Sequence, residues 1–333
     1  MKEETRYIFS SGELNRKDFS IRFKNQKGNI YLPIKDTKEL YCFNEVTLSS
    51  KFLEMLSKAG VIVHFFGYYE NYIGTFYPKE YLLSGRLTVA QAMAYSERRL
   101  EIAKPIVKGI AQNIHTVLYH YYRHGKMEIK PFLDWLKKDA NLLIDKITNI
   151  KKLLTIEGEI WARFYDTFRI ILPEDFAMNK RVKRPPDNPI NALISFGNTL
   201  LYTKTITQIY HTHLNQTISF LHEPAERRFS LSLDLSEVFK PIIVFKTIFD
   251  CVNRRKITVE KHFIKELNYS LLNEQGRKIF INEFENRINE TFEHPRLKRR
   301  VSYKHAVRLD AYKLIKFIME GKDFIPFNME KKT

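Results

Sequence analysis

Two textures divide the chain. Over residues 1–85 the apolar positions fall in short, partly alternating runs: Tyr7-Ile8-Phe9, Phe19-Ser20-Ile21-Arg22-Phe23, Ile30-Tyr31-Leu32-Pro33-Ile34 and residues 39–43. Runs of this length, rich in β-branched and aromatic residues, predict strands. Asn25-Gln26-Lys27-Gly28-Asn29 predicts the turn between two of them. Leu48, Phe52, Leu53 and Leu56 recur at helical spacing, with Ser49 or Ser50 as cap and Gly60 as stop. Strands are predicted again over residues 61–66 and 72–76. At Ser84-Gly85 the period changes. From Leu87 onward apolar residues return every three or four positions, predicting one long or kinked helix over 87–124, interrupted only by Pro105. Further helices are predicted over about 130–148, 152–168, 189–213, 235–253, 259–272, 274–292 and 303–320. Asn188 before Pro189 gives one of these a capped start. The pattern predicts an α+β chain: a small β-rich N-terminal domain over residues 1–85 and a larger all-α C-terminal domain over residues 86–333.

Charge separates the same two regions. The 333 residues hold 55 Lys plus Arg against 38 Asp plus Glu, a net charge of +17. Residues 1–85 hold 12 basic and 10 acidic side chains, so they are nearly neutral and the remainder carries +15. A field of that size attracts polyanions, and a nucleic-acid backbone fits better than a membrane, because no basic amphipathic helix offers a bulky apolar face to insert. No apolar run approaches membrane-spanning length, and Met1-Lys2-Glu3-Glu4 places acids where a signal peptide needs bases, predicting a soluble chain that is not exported. Cys42 and Cys251 stand alone in apolar stretches, predicting buried thiols in reducing intracellular surroundings.

Several chemistries are absent from the pattern. No two glycines are spaced as GxG, and there is no P-loop, HExxH or GxSxG. What stands out is a carboxylate in the wrong place. On the predicted helix over 152–168, Glu157 falls within a stripe of Leu153, Ile160, Trp161, Phe164 and Phe168, where it needs a cation, a metal or a pairing such as Arg163. Gly158 beside it suggests close approach of a backbone or a substrate. Four cations, Lys180, Arg181, Lys183 and Arg184, run into the stiff turn Pro185-Pro186-Asp187-Asn188-Pro189, a geometry suited to holding phosphates. The run Arg296-Leu297-Lys298-Arg299-Arg300 is equally basic and reads as phosphate contact or solvated linker. His222 precedes Asp234 and Glu237, which are three apart and share a helix face; one imidazole with carboxylate oxygens suits Mn²⁺ or Mg²⁺ better than zinc.

Taken in order, Ile156-Glu157-Gly158, the stretch from Arg184-Pro185-Pro186-Asp187-Asn188-Pro189 to Phe196-Gly197-Asn198, Phe220-Leu221-His222-Glu223-Pro224 and Leu231-Ser232-Leu233-Asp234-Leu235 resemble the CRISPR-associated integrase family, the first-numbered Cas protein. The resemblance covers nearly the whole chain. It implies a metal-dependent DNA endonuclease and integrase, in a prokaryotic cytoplasm, that inserts spacer DNA into a CRISPR array by 3′-hydroxyl attack on repeat-end phosphodiesters. The family's ligands map onto Glu157, His222 and Glu237, for Mg²⁺ or Mn²⁺. Asp234 is expected to orient a ligand or bind a second ion, and Tyr202 aligns with a tyrosine near the site in some relatives. Lys180, Arg181, Lys183 and Arg184 are the candidate DNA-backbone contacts. The resemblance also implies a homodimer through residues 1–85, flanking a dimer of the small second-numbered Cas protein. In this chain Tyr68, Tyr69, Tyr72, Phe76 and Tyr77 cluster there and suit an interface. The rival class is a non-catalytic, basic nucleic-acid-binding scaffold.

Overall fold

The computed structural model describes residues 4–78, 82–183, 185–224, 229–264, 269–294 and 297–329. Two compact units divide between Leu82 and Leu83. That point lies just ahead of Ser84, whose hydroxyl caps the following helix and so belongs with it.

The first unit is two four-stranded sheets and one α-helix. One sheet has the order β1-β5-β7-β8, from Glu4–Ile8, Thr37–Cys42, Ile62–Phe66 and Tyr72–Phe76. The other has the order β4-β3-β2-β6, from Gly28–Pro33, Ser20–Asn25, Gly12–Lys17 and Val46–Leu48. Alternate residues of both sheets (Ile8, Leu14, Ile21, Phe23, Leu40, Cys42 and Val63) join Phe52 and Leu56 of helix α1 (Ser50–Ala59) in one apolar core. Of the two serines the pattern offers, Ser49 caps α1, and Gly60 stops it in the left-handed conformation as predicted. Strand β2 escapes the pattern. Its only buried residue is Leu14, so a period of two has too little to show. Of the five clustered aromatics, Tyr68 and Tyr69 are exposed, whereas Phe76 packs on the core.

The second unit is mostly helical. Helix α2 (Gly85–Arg123) is long, and its one departure from helical geometry is at Arg98 (φ −128°, ψ 20°), not at Pro105. Helices α3 (Lys130–Trp135) and α4 (Asn141–Lys146) join through a π turn and lead to α5 (Ile150–Asp166) and the short α6 (Phe168–Ile171). Helix α7 (Pro189–Tyr210) is buried on nearly all sides, starting at the Asn188 cap and Pro189 as expected. Its Gly197 is a point of close packing: a Cβ there would lie 2.6 Å from Val244 Cγ1. Helix α8 (Ser230–Lys240) continues through a π turn at Pro241–Phe245 into α9 (Lys246–Asn253). After α10 (Val259–His262) and α11 (Glu274–Asn289), two strands, β9 (Thr291–His294) and β10 (Arg299–Ser302), pair before α12 (Tyr303–Glu320).

Two expectations change here. The C-terminal unit is not all-α, because the basic run around residue 298 turns a β-hairpin rather than a linker. Lys298 takes a positive φ of 50° at that turn, and Arg300 Nε donates to Thr291 Oγ1 across it. The helix expected over 259–272 stops at His262, and Phe263 bridges to Leu272 instead. Both cysteines are buried, and burial pushes their thiols up to about 12. Among the described residues no helix is long and apolar enough to cross a membrane.

Candidate active site

Glu157 sits on α5, which Asn149 caps and whose buried face is Leu153, Ile156, Ile160, Trp161 and Phe164. The carboxylate is half-buried beside that face. Its partner is Trp161, whose indole Nε1 donates to Oε1 at 2.7 Å. Arg163 turns away, to Glu159 at 2.6 Å and over the Trp135 ring, so the pairing that would have made Glu157 ordinary does not form. Gly158 has nothing within 4 Å of where a Cβ would stand. Among the described residues no other backbone approaches there.

His222 lies on the turn between α7 and α8. Its Nδ1 donates to Asp234 Oδ1 at 2.8 Å, and its backbone amide donates to the same oxygen at 3.0 Å. Asp234 Oδ2 accepts the amides of Phe220 and Leu221 at 2.6 and 2.8 Å. Asp234 is fully buried and both its oxygens are engaged, so it orients the imidazole and has no oxygen to spare for an ion. With Nδ1 committed as donor, Nε2 is the ring nitrogen left as acceptor.

Glu237 follows Asp234 by one turn of α8 and is also buried. Lys240 Nζ is hydrogen-bonded to Glu237 Oε1, and the same ammonium lies 5.8 Å from the centre of the Trp161 ring. Neither Trp161 nor Lys240 stood out in the sequence. Their signal was present, since each is one helical turn from an acid it serves, but i,i+3 and i,i+4 pairs are common and rarely mark a site.

The electrostatics tie the three candidates together. Burial, and then the charge of Glu237, push the Glu157 carboxyl up to about 7; His222, Lys240 and the Trp161 bond oppose this. Burial pulls the His222 imidazole down. The bond to Asp234 and its charge, with those of Glu237 and Glu157, outweigh burial and leave it raised. Glu157, His222 and Glu237 therefore lie near enough for each to feel another's charge. Among the described residues, however, no three His, Cys, Asp or Glu side chains are close enough to clamp an ion. Glu157 rests on Trp161 and Glu237 on Lys240, so the coordination shell expected of the three is not drawn closed. The donor set still fits a hard divalent cation: two carboxylates, and an imidazole whose far nitrogen is held by an acid in the manner of metal-ligating histidines.

Other candidates are placed differently. Tyr202 is half-buried on α7. Tyr165, two turns beyond Glu157, feels the acids. Burial raises its hydroxyl, Arg181 opposes that, and the charges of Glu237 and Glu157 add to it. Arg181 turns inward: Nη1 donates to Asn191 Oδ1 at 3.0 Å, Nη2 to Ser195 Oγ at 2.9 Å, and the guanidinium also bonds the Tyr165 hydroxyl. It fastens the loop before α7 to α5 and α7, a different task from the phosphate contact expected of it. Lys180 and Lys183 are exposed. Arg184 and Arg296 lie outside the described residues.

Residues 6–286 match the family model of the CRISPR associated protein Cas1. The chain belongs to the Cas1 family. Among curated Cas1 relatives, "CRISPR-associated protein Cas1 1" of Methanobrevibacter ruminantium is 44% identical over 98% of this chain and 99% of its own length. A "CRISPR-associated endonuclease Cas1" of Fusobacterium nucleatum is 41% identical over 97% and 96%. The solved structure of a Cas1 protein from Thermotoga maritima superposes with a TM-score of 0.85 at 36% identity, covering 96% of this chain and 99% of that one. The strand-rich start and mostly helical remainder are thus the Cas1 arrangement.

Proposed function

We infer that this Cas1-family chain is a divalent-metal-dependent DNA endonuclease and integrase that inserts spacer DNA into a CRISPR array. The observation that supports the reading is the mutual charge effect among Glu157, His222 and Glu237, which come from three separate elements of a strongly basic unit. Glu157, His222 Nε2 and Glu237 would hold Mg²⁺ or Mn²⁺, which when bound polarises the phosphodiester and offsets charge on the leaving oxygen.

The chain's own groups do the rest. Asp234 fixes the imidazole with Nε2 outward. Trp161 holds the Glu157 carboxylate and Lys240 holds that of Glu237. Lys180 and Lys183, both exposed, would hold backbone phosphates in line. A DNA 3′-hydroxyl oxygen bonds to the repeat-end phosphorus as the bond from phosphorus to the repeat's 3′-oxygen breaks. That oxygen takes up a proton as the attacking hydroxyl loses one. Phosphodiester number is conserved, so no energy-rich cofactor is required. Water in place of the hydroxyl gives nicking at the same site.

The reading includes a homodimer through the strand-rich unit, where Tyr68 and Tyr69 are exposed. It also includes a dimer of the small second-numbered Cas protein as partner, and work in a prokaryotic cytoplasm. The test is half-site integration of a labelled duplex into a supercoiled repeat plasmid. Activity is expected to need Mn²⁺ or Mg²⁺ and to fall at least about 100-fold in Glu157→Ala. Integration by Glu157→Ala at the parent's rate, or in EDTA, would refute it.

A further inference from the structure

The turn that carries His222 belongs to no strand and no helix, yet it is buried: Phe220 and Leu221 have no exposed surface. Its backbone groups must therefore be satisfied from elsewhere. The amides of Phe220, Leu221 and His222 all go to Asp234 of α8. The carbonyls of the same three residues go to one cation of α2. Arg99 Nε donates to Phe220 O at 2.7 Å, and Nη2 donates to Leu221 O at 3.2 Å and His222 O at 3.4 Å. Ser219 Oγ adds a bond to His222 O at 2.7 Å. Arg99 Nη1 donates to Glu223 Oε1 at 2.8 Å and to the Tyr95 hydroxyl at 3.0 Å. Each of the five guanidinium N–H groups thus has an acceptor.

This placement is specific. The guanidinium lies 4.7 Å from the centre of the Tyr95 ring, and its side chain is only 15% exposed. It directly follows Arg98, where α2 leaves helical geometry. An anion on one side and a cation on the other thus grip three consecutive peptide units, and the last of these carries the imidazole. We propose that Arg99 is a positioning residue for His222: it fixes the turn so that Nε2 stays aimed at an ion shared with Glu157 and Glu237. The proposal rests on the metal-dependent reading above. Lysine cannot replace this fork, because a single ammonium has three donors and no fixed plane with which to span three carbonyls.

Direct Mn²⁺ binding to the full chain, by titration and by the nitrogen coupling in its electron-spin signal, tests the proposal alongside half-site integration. Arg99→Lys should weaken Mn²⁺ about 10- to 100-fold, the scale seen when support of a ligating histidine is removed. It should also weaken the nitrogen coupling and lower kcat with little change in KM for DNA. In Arg99→Ala, added guanidinium ion should restore binding in part, which separates lost positioning from a lost fold. Glu223→Gln keeps the three carbonyl bonds and should bind Mn²⁺ within about threefold of the parent. The reference is His222→Ala. If that variant binds Mn²⁺ like the parent, the metal reading itself fails. If it binds weakly but Arg99→Lys keeps the parent's affinity and coupling, the role of Arg99 alone is overturned. A rise in KM with unchanged Mn²⁺ affinity would also overturn it, assigning Arg99 to DNA.

Discussion

In the strand-rich unit, buried polar side chains find partners across the next strand. Thr5 Oγ1 donates to Glu39 Oε2 at 2.7 Å where β1 and β5 pair, and His64 Nδ1 meets Thr75 Oγ1 at 2.8 Å where β7 and β8 pair. In the helical unit some of the partners come from about 80 to more than 200 positions away. Gln91 and Asn113 of α2 both clamp backbone from distant segments, Gln91 at Asn215 and Ile218, Asn113 at Val238 and Phe327. Lys204 of α7, almost wholly buried, pairs with Glu285 of α11 at 2.8 Å. A sheet satisfies its own backbone, so side chains are left to pack. The irregular turns between helices cannot, and long-range side chains must complete them. The candidate site stands on one such turn, so its support and its chemistry share residues.

The largest test of that contrast is Asp234→Ala. It strands three buried amides and the His222 ring, and should cost about 3–5 kcal/mol of the helical unit's stability. Calorimetry would show this, and integration by the protein that remains folded should vanish. Leu40→Ala in the strand-rich core should cost a comparable 2–5 kcal/mol or so, yet leave the rate per folded molecule near the parent's. Equal loss of rate in both variants would erase the distinction between the units.

A smaller effect sharpens it. Because the Glu157 carboxyl is raised to about 7, the folded chain holds a proton that the unfolded chain releases nearer the ordinary carboxyl value of 4.5. Without divalent ion, stability is therefore lost as pH rises through that window. Glu157→Gln removes the burden, and should melt above the parent at pH 8 but not at pH 4. Identical melting at both pH values would mean that neither burial nor the charge of Glu237 burdens the Glu157 carboxylate.

The smallest effect concerns surface charge. Lys180→Ala with Lys183→Ala should flatten the salt dependence of DNA binding, by roughly 0.9 log units per log unit of salt for each phosphate no longer neutralised, with stability unchanged. Arg181→Ala should do the reverse, lowering the melting temperature and leaving the slope. A flattened slope in Arg181→Ala would return that residue to the surface role its position in the charge run suggests.

Much of this was legible along the chain. The change of period near residue 85, the caps at Ser49 and Asn188, and the stop at Gly60 were read directly, because each depends on neighbours within a turn or two. Glu157 was conspicuous because a carboxylate among apolar residues breaks a local rule. Strand β2 and the hairpin near residue 298 were not legible, since one has a single inward residue and the other is recognised only by its pairing. By itself, then, the sequence determined the two textures, the excess of charge on the second and the candidates for a metal site. Only the tertiary structure decided that Arg181 faces inward, that Asp234 is consumed in holding His222, and that Arg99 grips the turn from more than a hundred positions away. Local interactions repeat with a period and leave a pattern. A hydrogen bond across the fold depends on which helices come to lie together, and no short window of sequence carries that.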